Sequence, residues 1–222
     1  PVINTTLPVG SLPGHAAVSP TGAATYQLPI ECPPGTNDLQ PNVSIVYNSQ
    51  GRAGVLGPGW DIAGLSAISR TPKNKFYDGE NGKTIAFDNT DCLMLDGQRL
   101  ILLSGTDFSE GAEYGTEFEN YTRIYFRNGS FEVRTREGAI MEYGYTPDSK
   151  ISDFLGGNKI IGWKINRMTD VFGNTMEFKY TDRGEYIDRV EYLGTTDHYI
   201  NSIQFNYYPR HRNDRKYAAY NK

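Results

Sequence analysis

Along most of this chain, apolar side chains recur at every second position in short runs, and each run ends at a cluster of Gly, Asn, Asp or Pro. A two-residue period is the pattern of strands with one buried face. In NVSIVYNSQ, Val43, Ile45 and Tyr47 alternate with Ser44, Val46 and Asn48. Further on, Ile124/Phe126 and Phe131/Val133 flank Asn128-Gly129, the two residue types that most readily supply the positive φ angles of a type I′ hairpin. A second turn at Glu137-Gly138 leads into AIMEYGY, which predicts three consecutive antiparallel strands. Other turn signals stand at YDGENGK, LDGQR and RNGS, while residues 1 to 35 are Pro/Gly/Ser/Thr-dense with brief apolar islands at Tyr26, Leu28 and Ile30.

One pattern (apolar, polar, aromatic, any residue, Tyr) recurs at Met141 to Tyr145, Met176 to Tyr180 and Ile203 to Tyr207, with starts 35 and 27 residues apart. Unequal spacing argues against a regular solenoid and suits strands of an irregular sheet, each laying an aromatic pair on one face. Only DRKYAAYNK has helical composition. The prediction is an all-β fold: a large antiparallel, irregular or spiralling sheet of hairpins and meanders, with little helix. Residues 1–70 form a segment of turns and short strands, and residues 71–222 an antiparallel meander continuous with it as one domain.

Composition supports this reading, with 16 Tyr, 24 Gly and 12 Pro against four Met. The net charge of −4 and a single basic cluster (Arg210, Arg212, Arg215, Lys216), interrupted by Asp214, argue against nucleic-acid binding. No apolar run approaches the ~20 residues of a membrane helix, and PVINTTLPVG lacks the order of a signal peptide. Cys32 and Cys92 fit two thiols or one disulfide, with thiols the preferred reading. They are too few for a zinc site without histidines at ligand spacing.

The glycines of RAGVLGPGWDIAGLSAISR invite a phosphate loop, but in GWDIAGLS Leu65 stands where a P-loop needs lysine, and no amphipathic helix follows to offer its N-terminus. Glu117-Phe118-Glu119 has the Glu-x-Glu spacing of some ADP-ribosylating toxins, and on a strand both carboxylates would share a face. It lacks the accompanying Ser-Thr-Ser segment. His15, His198 and His211 lie in polar or proline-flanked loops without a nucleophile context. The oxygen-rich turns at Asp78-Gly79-Glu80-Asn81-Gly82 and Asp88-Asn89-Thr90-Asp91 miss the EF-hand register. No cofactor, metal or catalytic residue is therefore expected.

The order of the remaining features resembles a known family. Gly22 with Tyr26 and Pro29, Pro33-Pro34-Gly35, Pro41, Tyr47-Asn48-Ser49, Gly57-x-Gly59-Trp60 and Ser66-x-Ile68-x-Arg70 follow one another as in the N-terminal SpvB-type module, which also opens the B components of Tc toxin complexes and many Rhs or YD-repeat proteins. GWKINRMTDVFGNTMEFKY, with its Asp-x-x-Gly-Asn turn, and IQFNYYPRHRND extend the resemblance. It implies a non-enzymatic module that begins a β-shell enclosing and delivering a C-terminal effector or toxin. Its partners would be the remainder of its own chain and companion toxin-complex subunits, at a secreted or cell-surface location. The rival reading is a cell-surface binding module for carbohydrate or protein, using exposed aromatics such as Trp163, and a hydrolase ranks last. Tyr47, Asn48, Gly57, Gly59, Trp60, Ser66, Ile68 and Arg70 are expected to be structural. Gly57 and Gly59 would turn the chain about Pro58 to bury Trp60, Ile62, Leu65 and Ile68 would continue into the sheet, and Arg70 would cap the segment by pairing.

Overall fold

A computed structural model describes residues 14–80, 84–152, 159–181, 184–195 and 198–208. Strands account for 50% of the protein and helix for 6%, so the all-β reading holds. Contacts divide the chain into two compact units: Pro1–Cys32 with Asn42–Gly64, and Pro33–Pro41 with Leu65–Lys222.

The first unit is a six-stranded antiparallel sheet built from β1 (His15–Val18), β2 (Ala24–Pro29), β3 (Ser44–Asn48), β4 (Ala53–Gly54), β5 (Gly57–Pro58) and β6 (Trp60–Ala63), in the order β1-β2-β3-β6-β5-β4. The alternation read in NVSIVYNSQ is β3. Paired residues share a face, so Tyr26, Tyr47 and Trp60 line up across three strands on one side, and Gln27, Val46 and Asp61 line up on the other.

The second unit holds β7 (Ala67–Thr71), β8 (Cys92–Leu95), β9 (Gln98–Ser104), β10 (Glu113–Thr116), β11 (Arg123–Arg127), β12 (Ser130–Arg134), β13 (Ile140–Tyr143), β14 (Lys150–Ser152), β15 (Ile160–Thr169), β16 (Thr175–Tyr180), β17 (Ile187–Thr195) and β18 (His198–Gln204). Strands β7 to β13 form a meander that β15 closes into an eight-stranded barrel. The closure is visible in adjacent bonds: the Gly144 amide donates to Lys164 O at 3.0 Å, and the Ile165 amide donates to Ser66 O at 3.1 Å. Neighbouring residues of a strand direct their backbone groups to opposite sides, so β15 has β13 on one flank and β7 on the other. Closure removes the free edges of the meander. β15 also carries an open extension, β16-β17-β18.

Ile68, Tyr114, Ile124, Phe131, Val133, Tyr143 and Trp163 fill the barrel, each no more than 2% exposed. Burying one such side chain contributes about 1.5–3 kcal/mol, so this cluster dominates the unit's stability. Polar tips inside it are matched: Trp163 Nε1 donates to Gly129 O at 2.9 Å, and the Phe108 amide donates to the Tyr114 hydroxyl at 2.9 Å. Burial pushes the Tyr114 phenol up to about 12, and drives the Tyr143 and Tyr180 phenols higher still.

The hairpin between β11 and β12 turns on Asn128 (φ 51) and Gly129 (φ 72), and Gly138 (φ 87) makes the turn into β13, as read from sequence. Of the three recurrences of the aromatic pattern, Met176 to Tyr180 lies wholly on a strand, whereas β18 ends at Gln204, before Phe205 and Tyr207. Phe178 and Tyr180 are buried together, and Phe205 and Tyr207 are both half-buried. At the remaining site Tyr143 is buried but Tyr145 is 39% exposed, because Gly144 at φ 75 ends the strand and rotates the next side chain outward. The sequence also hid a short helix, α1 (Lys75–Asp78), inside what reads as a turn cluster. Asn74 caps it by accepting from the Tyr77 amide at 3.1 Å, and Gly79 closes it in the left-handed conformation. DRKYAAYNK, the basic cluster from Arg210 to Lys216, and His211 lie outside the described residues.

On the barrel's outer face the register aligns Glu132, Glu142, Arg167, Glu177 and Glu191 across five strands. Arg167 bonds Glu177 at 2.7 Å but reaches Glu142 only at 3.8 Å. Burial, reinforced by Glu132 and Glu177 and opposed by Arg167, holds the Glu142 carboxyl above the usual range. A carboxyl raised on folding destabilises wherever it is ionised and ceases to do so below its unfolded value of ~4.3. Glu142→Gln is therefore expected to stabilise at neutral pH by less than about 1 kcal/mol and to lose that advantage below pH ~4. Urea melts of both proteins at the two pH values give the comparison, and a gain that grows on acidification would contradict the assigned repulsion.

Candidate functional site

The residues singled out in the sequence fall into two groups, one in each unit. In the first, Tyr47 and Trp60 are directly opposite on β3 and β6 with ring centroids 4.9 Å apart, and Tyr26 meets the Trp60 edge at 6.3 Å. Gly57 (φ 134) and Gly59 (φ 74) bracket Pro58 and turn the chain from β5 into β6. At Gly59 the conformation is required twice over. Its carbonyl accepts from the Asn48 amide at 2.9 Å, and a Cβ there would stand 2.5 Å from Asn48 O and 2.8 Å from the Tyr47 ring. Gly59→Ala is accordingly expected to cost upwards of about 2 kcal/mol, combining the left-handed penalty with the overlap. A thermal melt unchanged by the substitution would show that the corner can relax.

Trp60 is half-buried rather than fully buried, because the neighbouring tyrosines shield it from the sides while the sheet face stays partly open. Ile62 and Ile68 do not continue one sheet: Gly64 (φ 92) breaks the strand, Ile62 stays in β6 and Ile68 begins the barrel meander on β7, with Leu65 between strands.

In the second unit Ser66 donates to Asp96 Oδ2 at 2.6 Å and shares a 2.8 Å hydrogen bond with the Tyr143 hydroxyl. Asp96 Oδ1 also accepts from the Ala67 amide at 2.8 Å, which ties the start of β7 to the β8–β9 turn. Ile68, wholly buried, pairs with Leu95 on one side and Trp163 on the other. Arg70 occupies the same inner face two residues on. Its Nη1 lies 3.0 Å from Asp91 Oδ2 and 3.1 Å from Asp88 O, and its guanidinium stacks 3.8 Å from the Phe108 ring centroid and 5.9 Å from that of Trp163. Asp91 accepts in addition from the Ala86 and Phe87 amides, each at 2.7 Å. The side chains are 13% and 2% exposed. This is a plug of paired charge and stacked rings in the barrel interior.

The chemical candidates resolve into structural partners. Glu117 and Glu119 lie past the end of β10 rather than on a strand, and Glu119 accepts from the Tyr121 amide and pairs with Arg123 at 3.2 Å. Asp78 is engaged by Arg99 at 2.6 Å, Asp88 caps Thr90, and Asp91 holds Arg70; Asn81 and Gly82 lie outside the described residues. Cys32 and Cys92 are not joined in a disulfide, and Cys92 is buried. Trp163, the aromatic suggested for carbohydrate contact, is 2% exposed and packs edge-on to Phe131 at 4.9 Å, so it is a core residue. The Asp-x-x-Gly-Asn turn is held by Asp170, whose carboxylate accepts from the Phe172 and Asn174 amides and from the Asn174 and Asn37 side chains. Burial acts to raise its carboxyl, but these donors outweigh it and hold the group below the usual range. Sequence reading missed Asp91, Asp96 and Tyr143 as partners of the signature residues. Asp96-Gly97 was visible only as a turn.

The family model described as Salmonella virulence plasmid 65kDa B protein, SpvB, matches residues 18–102 and 110–218. The chain belongs to the SpvB family. Comparison with curated proteins finds no match. Among solved structures, the SpvB-type fold seen here is similar to the crystal structure of TcdB2-TccC3, with a TM-score of 0.66 at 16% identity over 86% of this chain and 11% of that one. It is similar also to the Photorhabdus luminescens Tc holotoxin pore, with a TM-score of 0.64 at 18% identity over 86% of this chain and 10% of that one. The N-terminal domain of effector protein SpvB from Salmonella typhimurium strain LT2 gives a TM-score of 0.54 at 17% identity over 68% of this chain and 58% of that one. At such identities the likeness is one of fold. The chain spans about a tenth of the first two structures' chains.

Proposed function

We propose that this SpvB-family chain is a non-enzymatic wall segment at the beginning of a β-shell that encloses and delivers a C-terminal effector or toxin. The observation that carries the reading is β15, one strand that both closes the barrel and extends into the open sheet β16-β17-β18. A strand shared in this way gives a sheet a rigid anchor from which further strands can be added. The fold likeness to TcdB2-TccC3 supports the same reading. Tyr47, Asn48, Gly57, Gly59, Trp60, Ser66, Ile68 and Arg70 then serve as scaffold. In the first unit Tyr47 stacks on Trp60 and Asn48 bonds Gly59, and in the second Ser66 engages Asp96 and Tyr143 while Arg70 engages Asp91. Partners are the remainder of the chain's own shell, of Rhs or YD-repeat type, and companion toxin-complex subunits, with a secreted or cell-surface location. The reading frame tests the proposal cheaply. Many hundreds of further codons encoding YD-type strands support it, and a stop codon soon after Lys222 would sink it.

A further inference from the structure

The segment between β3 and β6 turns the chain and also roofs one face of the six-stranded sheet. The Gly51 amide donates to Asn48 O at 2.9 Å, the Gly59 amide donates to Arg52 O at 3.2 Å, and β4 pairs with β5, so residues 51–54 fold back toward the side that carries Gln27, Val46 and Asp61. Gly54 approaches the Trp60 carbonyl and the Asp61 carboxyl so closely that a Cβ would overlap both. Between this strap and His15 on β1 lies a groove of about 530 Å³. That volume is in the range of small-ligand sites, ~300–1,000 Å³.

Its polar groups are only partly spent. Asp61 Oδ1 accepts from the Ile62 amide at 2.9 Å, which leaves Oδ2. Gln27 donates through Nε2 to Ser44 at 3.2 Å, which leaves its carbonyl oxygen, and Asn48 Oδ1 accepts from the Gln50 amide, which leaves its NH₂. Arg52 lines the groove, and its guanidinium has no ion-pair partner among the described residues. Val46 and Ala17 supply apolar surface between them. A planar fork of donors selects a carboxylate, a neighbouring carboxylate and amide oxygen select hydroxyl donors, and the apolar floor suits the C–H face of a ring. A simple anion would meet Asp61 without a proton to offer it, and a neutral sugar would leave Arg52 unmatched.

We propose that this groove binds an acidic monosaccharide unit, with its carboxylate on Arg52 and its hydroxyls on Asp61 and Gln27. The proposal is independent of the shell reading. Titrating the ¹⁵N-labelled 222-residue chain with glucuronate, galacturonate and N-acetylneuraminate, with glucose and acetate as controls, tests it. At least one acidic sugar is expected to give saturable shifts at the Ala17, Val46 and Ala53 amides, about tenfold tighter than either control. Arg52→Ala, an exposed change that leaves the rest of the spectrum in place, is expected to remove that tenfold preference while glucose binding stays the same. The proposal is overturned if none of the three acids gives saturable shifts at those amides, if acetate matches them, or if Arg52→Ala leaves the preference intact.

Discussion

Arg70→Ala is expected to cost the protein about 3–5 kcal/mol, because it strands a buried carboxylate. Asp91 is 2% exposed, and Arg70 is its only cationic partner among the described residues. Two backbone amides would still bond the carboxylate, but the charge would be left without neutralisation and the Phe108 ring without its stacked guanidinium. Lysine at this position keeps the charge and loses the planar stack, so Arg70→Lys should recover only part of the stability. Removing both partners in Arg70→Ala/Asp91→Ala should cost less than the two single changes added together, since the stranded charge disappears. Urea denaturation of the four proteins reads this directly. A single-mutant loss below about 1 kcal/mol would place Arg70 with ordinary surface ion pairs.

Trp163→Ala should be comparably severe, at about 3–5 kcal/mol, because the indole fills space that the barrel cannot close over. It pairs with Ile68 across β7, meets Phe131 edge-on and donates to Gly129 O. Deleting it leaves a cavity and an unsatisfied carbonyl at the β11–β12 hairpin. Trp163→Phe keeps much of the volume and should cost clearly less, so the pair of variants separates packing from the hydrogen bond. A chain that melts unchanged after Trp163→Ala would mean that the aromatic is not part of the barrel core.

These two residues also mark how far the sequence could be read. The Asn128-Gly129 hairpin was legible because its determinants are two adjacent residues with special φ preferences, flanked by alternating apolar positions. Barrel closure was not, since it rests on Ile68 meeting Trp163 and Tyr143 meeting Ile165, pairings that no local pattern encodes. Trp163 therefore looked available for a ligand until β15 was seen to turn it inward. Arg70 stood out through its place in the family motif, but its partner Asp91 sits in an Asp/Asn/Thr cluster that reads as a turn. Helix α1 escaped notice because four residues are too few to show a 3.6-residue period, and only its Asn74 and Gly79 caps could have signalled it.

The shell role is tested most directly by a density map of the complete gene product. If this chain is a wall segment, β18 will be hydrogen-bonded, along the edge that has no partner strand among the described residues, to a strand from elsewhere in the same protein, and the wall so extended will surround a cavity that holds the C-terminal region. A map in which β18 remains an unpaired edge, with residues 1–222 standing as a pendant module outside any enclosure, would contradict it.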